Sequence, residues 1–275
     1  MPDSRLTRRT LLKGSAAAAG VLAVDALGVE PNWLEVTLHD VPVAGLPRAL
    51  DGYALAQITD AHLTRLGTVE QTIVEALDAH DVQAVALTGD IVDSDERLGV
   101  LAALLSELQR PGRTLIATLG NWEHWGRVDL RALEGRYRDA GARLLVNEAL
   151  VADGGVSIAA TDDALAGQPS QQDIAGERRG DASVLLTHSP ELLDRLDAGP
   201  GGRFDVALAG HTHGGQLRLG ASLVPWTPPG SGRFVAGWYE TPRARAYVSR
   251  GTGTSIVPVR FTCRPELPIL RLRQG

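Results

Sequence analysis

Cysteine is almost missing from this chain. Cys263 stands alone among 275 residues, which excludes an internal disulfide framework and any cysteine-rich zinc site. Aromatic residues reach only 4%. Basic residues are also short: 27 Lys and Arg face 33 Asp and Glu, a net charge of −6. No basic footprint therefore recommends nucleic acid as a partner, and an anionic substrate has to be met by local cations or by metals. No apolar run is long enough to span a bilayer with conviction, since Gly14 to Val24 is short and rich in Ala and Gly. What remains, 44% hydrophobic and 22% charged over this length, suits one large globular domain.

The N-terminus stands apart. Ser4 to Lys13 places charge ahead of that small apolar stretch, the layout of an export signal. The order Arg8-Arg9-x-Leu-Leu-Lys resembles a twin-arginine signal, which directs folded proteins to the twin-arginine export machinery. Small residues at Ala17–Ala19 and Ala23–Asp25 offer two places for cleavage. Left uncut, the segment would associate the protein with the membrane or cell wall. The expected organisation is an export signal over residues 1–30 and one folded domain over residues 31–275, in the periplasm or cell envelope.

From Trp33 onward two periods alternate. Tyr53–Thr59, Val82–Thr88, Thr114–Leu119, Ser183–Thr187, Phe204–Ala209 and Ala246–Ser249 are short apolar runs, as buried strands are. Between the early ones lie helical spacings: Val69, Ile73, Ala76 and Leu77, then Leu98, Leu101, Leu105 and Leu108, ending at Pro111-Gly112. Alternation early and strand runs late predict an α/β fold with a mixed sheet, or two sheets packed face to face. Ala166–Asp181 and Thr227–Gly232 read as surface loops.

Polar residues collect where the apolar runs stop. Asp60-x-His62, Gly89-Asp90-x-x-Asp93, Gly120-Asn121, His188 and Gly210-His211-x-His213 each follow a separate run. The crevice beyond the carboxyl ends of strands is where open α/β sheets bind ligands. Each piece has an ordinary reading, since Gly-Asp is a turn signal and a lone buried His is commonly a core residue. Their joint occurrence is the specific feature. Two aspartates, an asparagine and four histidines form an oxygen and imidazole set without thiolate, suited to manganese, iron(II) or zinc. Seven ligands exceed one tetrahedral centre and fit two ions sharing a carboxylate. In His211-x-His213 the rings point the same way if the segment is extended, and reach separate ions if it turns.

This ordered set resembles the calcineurin-like metallophosphoesterase superfamily, from about Tyr53 to the C-terminus. GHTHGGQLRL at Gly210–Leu219 and YVSRGTGTSIVPVRFTCRPEL at Tyr247–Leu267 resemble its exported, twin-arginine-led phosphodiesterase branch. The resemblance implies a four-layer α/β/β/α sandwich of two mixed sheets, with the metal site at the carboxyl ends of the strands. It implies two divalent ions (Mn, Fe or Zn), one held by Asp60, His62 and His213, the other by Asn121, His188 and His211, with Asp90 bridging. It implies attack on phosphorus by a hydroxide held between them, on a phosphodiester or pyrophosphate of small-molecule or cell-envelope origin. Folding before export would let the ions load in the cytoplasm, which favours manganese or iron over zinc. Asp93 would orient a ligand histidine or cap the following helix.

One loop departs from the pattern. In TLGNWEHW, Thr118–Trp125, the superfamily's Gly-Asn-His-Asp/Glu becomes Gly120-Asn121-Trp122-Glu123, and the histidine that helps the leaving group is replaced by Trp122. Three consequences compete. The substrate has a leaving group that needs little protonation; His124 or water replaces the lost acid; or the protein binds metal and ligand in the envelope with little turnover. The catalytic set expected here is Asp90, Asn121 and His124. Four tryptophans, Trp122, Trp125, Trp226 and Trp238, fall in or near strand-end loops. They either fill the core or form an apolar wall for a lipid-like, glycan or nucleotide part of the substrate.

Overall fold

A computed structural model of the chain describes residues 8–152, 154–170, 180–196, 203–220 and 223–275. Its strands are β1 (Glu35–Val43), β2 (Ala54–Ile58), β3 (Ala84–Thr88), β4 (Thr114–Thr118), β5 (Arg143–Leu144), β6 (Glu148–Val151), β7 (Val156–Ala160), β8 (Ala182–Leu186), β9 (Val206–Ala209), β10 (Gly237–Glu240), β11 (Arg245–Val248) and β12 (Glu266–Gln274). Its α-helices are α1 (Arg8–Val24), α2 (Thr68–Ala79), α3 (Leu98–Leu108), α4 (Asn121–Trp125), α5 (Leu130–Asp139) and α6 (Leu192–Arg195). The strands form two six-stranded mixed sheets, ordered β1-β12-β2-β3-β4-β5 and β10-β11-β9-β8-β7-β6.

The six apolar runs became β2, β3, β4, β8, β9 and β11, and every residue of β2, β3 and β8 is buried. Strands covered on both faces read as continuous apolar stretches, which is why the sequence shows them so clearly. Alternate side chains still part to opposite faces. Leu55, Ala84, Ala86 and Ile116 point between the sheets and meet Ile158, Val184, Val206 and Leu208. Ala56, Ile58, Val85 and Leu87 point outward and meet Ile73 and Leu77 of α2, Leu101 and Leu105 of α3, and Leu133 and Tyr137 of α5. Each fully buried Leu, Ile or Val contributes about 1.5–3 kcal/mol relative to exposure.

The outer face of the second sheet is covered by Leu192 and Leu193 of α6 and by Phe204 and Phe234. The four-layer α/β/β/α arrangement is therefore present, with its fourth layer, among the described residues, a four-residue helix and loop. Helix starts follow local chemistry. Glu70 reaches back to the Gly67 N–H (2.7 Å) at α2, and the Asp129 carboxylate accepts the N–H groups of Arg131 and Ala132 at α5.

Two buried side chains lock the sheets together near the strand ends. Gln57 donates to Thr88 Oγ1 (2.8 Å) and to the Ala209 carbonyl (3.0 Å), and Thr118 donates to the Thr161 carbonyl (2.6 Å). Strands β2, β3 and β4 are mutually parallel, as are β8 and β9. Their carboxyl ends emerge together at one rim.

Of the expected export signal, residues 1–7 lie outside the described residues, and no described helix is long and apolar enough to cross a membrane. The expected domain boundary at residue 30 falls inside a docked segment. The Ala26 carbonyl accepts the Arg260 N–H (3.0 Å), and the buried Glu30 carboxylate accepts the N–H groups of Thr262 (2.8 Å) and Cys263. The packed unit thus reaches back to Ala26, because Glu30 satisfies backbone donors that would otherwise be buried without partners. Part of the expected loop at Ala166–Asp181, residues 171–179, lies outside the described residues.

Removing the Glu30 carboxylate leaves two N–H groups unmet. Glu30→Ala is expected to cost about 1–3 kcal/mol in urea denaturation, whereas a chain beginning at Asp25 keeps the parent midpoint.

Candidate metal centre

Three of the five strand-end motifs turn their side chains inward by the same device, and Asn121 and His188 do so without it. Asp60, His62, Asp90, His211 and His213 have φ of 55°, 43°, 53°, 71° and 49°, all in the left-handed region. Such a conformation costs non-glycine residues on the order of 1–3 kcal/mol each and persists where surrounding structure imposes it. Backbone bonds between the loops impose it here. His62 N–H donates to the Asp90 carbonyl (3.0 Å), Gly210 N–H to the His188 carbonyl (3.0 Å), and Gly253 N–H to the Asp60 carbonyl (3.0 Å). Gly120 has no room for a side chain: an added Cβ would run into the Asp90 carboxylate and backbone N–H.

The seven expected ligands converge. Donor atoms of Asp60, His62 and His213 lie within 4.8 Å of one another, as do those of Asp90, His188 and His211. Asn121 joins the second group, its Oδ1 2.8 Å from His211 Nδ1 and 3.1 Å from His188 Nε2. Asp90 Oδ2 lies between the groups, 3.1 Å from His188 Nε2 and 3.9 Å from His62 Nε2. His211 and His213 fall in different groups, so the segment turns, as one of the two readings of its spacing had it.

The protonation pattern fixes what this cluster lacks. His188 Nδ1 sits 2.9 Å from the Thr88 carbonyl and His211 Nε2 sits 2.6 Å from the Pro229 carbonyl. Each of those nitrogens must donate, so in a neutral ring the other nitrogen carries a lone pair. Those lone pairs face only the acceptors Asp90 Oδ2 and Asn121 Oδ1. Near Asp60, the Nε2 atoms of His62 and His213 are 3.3 Å apart, and His213 Nε2 is 3.4 Å from Asp60 Oδ1. Acceptors buried against acceptors require a cation, and oxygen with imidazole suits a divalent metal.

In the metal-free protein a proton on His188 takes the place of that cation. Burial disfavours a charged His188, but the charge and hydrogen bond of Asp90, with Asp60 behind, outweigh it and hold the ring well above its usual pKa. Asp60 is raised, first by burial and then by Asp90. Asp90 is lowered: burial opposes ionisation, and His188, His62 and the Trp122 N–H prevail. His213 is pushed well below its usual value by burial, then by His62 and Arg260.

Two expected residues behave differently. The Asp93 carboxylate meets no histidine among the described residues, and histidine orientation falls to the carbonyls of Thr88 and Pro229 instead. Pro229 belongs to the Thr227–Gly232 loop, which is therefore a wall of the site. His124 sits on α4, a single helical turn, two residues from Trp122. Residues two apart on a helix do not share a face. His124 Nε2 instead pairs with Asp162 Oδ1 (2.8 Å) and lines a separate cleft with Arg131 and Arg138. Trp122 and Trp125, three apart, meet edge to face at 5.9 Å.

The role of Glu123 was not evident from the strand-end pattern, although a Glu three residues after Gly120 is a capping-box spacing. It is 1% exposed. Its Oε2 accepts the N–H groups of Asp90 and Gly120 (both 2.9 Å), and its Oε1 those of Ile91 (2.8 Å) and Val92 (3.2 Å). Burial and the Asp90 charge push its pKa up to about 7 against the pull of those donors.

A profile of the calcineurin-like phosphoesterase family matches residues 53–215. The metallophosphoesterase YkuE of Bacillus subtilis (strain 168) is 30% identical, covering 98% of each chain. The phosphodiesterase YaeI of Escherichia coli (strain K12) is 28% identical over 97% of this chain and 99% of its own. The metallophosphoesterase YkoQ of Bacillus subtilis (strain 168) is 27% identical over 87% and 88%.

Glu123→Gln replaces an oxygen acceptor by an NH2 group that confronts backbone donors. It is expected to lower the stability of metal-free protein by about 1–3 kcal/mol for each N–H left unmet, read by chemical denaturation. The His124–Asp162 pair has a pH signature. The hydrogen bond that His124 donates to Asp162 raises the His124 pKa above 6.5, with burial opposing. Its contribution is full below the unfolded value and fades as pH rises through the raised folded value. The stability gap between parent and His124→Gln should therefore narrow as pH rises above the ordinary histidine value of about 6.5; a constant gap would remove the ion-pair account.

Proposed function

The chain belongs to the calcineurin-like phosphoesterase family and is a metal-dependent phosphoester hydrolase, and from that premise we propose an exported dinuclear phosphodiesterase acting on a phosphodiester or pyrophosphate bond. The observation that carries the two-ion reading is Asp90 Oδ2, a single carboxylate oxygen placed between two groups of buried acceptors. Asp60, His62 and His213 would hold one ion, and Asn121, His188 and His211 the other, with Asp90 shared. Two divalent ions there would supply Lewis-acid activation of water and neutralise the phosphoryl oxygens.

The chain's own groups set the rest. The Trp122 N–H donates to Asp90 Oδ1 (2.7 Å), and the His211 N–H to both Asp60 oxygens (2.9 and 3.0 Å), so each carboxylate is aimed before metal arrives. The ring at position 122 offers no acid-base proton, and His124 faces a different cleft. A leaving group that departs readily without protonation, as from an activated diester or pyrophosphate, suits this constellation better than a monoester with a poor one. Manganese or iron is the proposed occupant, on a thiolate-free donor set that would load before export. Export rests on Arg8-Arg9 and the apolar helix behind them, and would present the site to cell-envelope substrates.

Protein supplied with manganese is expected to cleave bis-p-nitrophenyl phosphate at least about tenfold faster than p-nitrophenyl phosphate. Asp90→Asn should lose activity about a hundredfold or more and bind fewer than two metal equivalents by elemental analysis. Two bound metals with no cleavage of either ester would instead support an envelope binding protein.

A further inference from the structure

Two cavities of similar size and opposite chemistry meet at the candidate centre. One, about 420 Å³, has Asp90, Asn121, His211 and His213 at its floor. Its walls are Trp122, Trp125, Trp226, Leu217, Ile256 and Val257. No Lys or Arg lines it among the described residues. The other, about 430 Å³, contains His62 and is lined by Thr64, Arg65, Glu70, Asp93 and Thr252. Trp122, Ser255 and Ile256 belong to both. The divide passes between His62 and His213, whose Nε2 atoms are 3.3 Å apart and whose rings lie one in each cavity.

A diester has two arms, and this site treats them differently. A charged or sugar-like arm in the first cavity would lose water and find few partners, which is costly. A hydrocarbon arm would gain from the same burial. The polar cavity offers the reverse, with charges of both signs and hydroxyls. The apolar wall also continues outward. Leu219 and Leu223 pair across an isolated bridge beyond Leu217 and are exposed, as are Trp226 (59%) and Ile256 (80%). An exposed apolar collar around a cavity marks an interaction site. Ile256 is held there at φ 64°, a conformation that a β-branched residue rarely adopts. Strain at an exposed isoleucine on the rim of a site is a further sign that its position serves binding.

We propose that the substrate is an amphiphilic phosphodiester, with an alkyl chain in the Trp122–Trp226–Leu217 cavity and a polar head in the Arg65–Asp93 cleft. Trp122, standing where the superfamily has a histidine, is the partition between the two arms. This rests on the phosphodiesterase reading, whose substrate class it names.

Binding and turnover test it separately. Tryptophan fluorescence of the full, manganese-loaded chain is titrated with octylphosphonate and methylphosphonate, which carry the same charge. The octyl compound is expected to bind at least about tenfold more tightly. Ile256→Asp, at an exposed position whose left-handed backbone Asp tolerates well, should erase most of that preference without lowering the melting temperature. Equal affinity of the two compounds, or a preference that Ile256→Asp and Leu217→Asp both leave intact, overturns the proposal. In turnover, octyl p-nitrophenyl phosphate is expected to show kcat/KM at least about tenfold above the methyl ester. Equal cleavage of both overturns the two-armed substrate and leaves the phosphodiesterase standing. No cleavage of either, with the binding preference retained, removes the phosphodiesterase and keeps the alkyl site. Preference below the micellar concentration assigns a monomeric amphiphile, and preference seen only with the ester in phospholipid vesicles assigns a bilayer lipid; both support the alkyl site.

Discussion

A buried carboxylate that accepts four backbone N–H groups holds the centre of this protein together. Glu123 joins the loop after β3 to the turn after β4, and without it the donors of Gly120, Asp90, Ile91 and Val92 would be buried and unmet. The loops it clamps carry Asp90 and Asn121, one from each. Left-handed Asp90 is held in its strained conformation by this contact and by the Trp122 N–H on its carboxylate. An acceptor-only side chain is needed, because four donors converge on two oxygens.

Strain and charge are concentrated in the same place. Five candidate ligands occupy left-handed backbone, and like acceptors face one another across about 3 Å. Both features are unfavourable in an apoprotein. Divalent ions at the two groups would relieve the acceptor repulsion, so metal binding and folding of these loops are linked equilibria. The rigid part of the molecule bears the cost. Two sheets pressed together by Leu55, Ile116, Ile158, Val184 and Leu208, and bridged by Gln57 and Thr118, keep the five strand ends in register.

The second wall of the site comes from the far end of the chain. Arg260 is fully buried and donates to the carbonyls of Arg250, Gly251, Gly253 and Cys263, gathering the loop that carries Ser255, Ile256 and Val257. Glu30 secures the same loop from the N-terminal side. A guanidinium can satisfy several carbonyls at once because its donors lie in a planar fork. That loop shapes both cavities, so residues just after the apolar N-terminal helix support the walls around the centre.

By itself the sequence determined the α/β class, most of the central strands and all seven residues that converge at the candidate centre. Those are the features with a strong local signal: apolar runs buried on both faces, and polar residues set immediately after them. Edge elements were less legible. In β1, the residues His39 and Asp40 and the proline at 42 break any apolar run, and β12 joins β2 only through pairing such as Leu270 with Leu55, far apart in the chain. Tertiary structure alone decided where His124 points, since one helical turn carries it away from Trp122 and toward Asp162. It also decided the carbonyls that fix His188 and His211, and the pairing of Arg260 and Glu30 with distant backbone. Those contacts depend on which loop arrives beside which, and no period in a single sequence encodes that meeting.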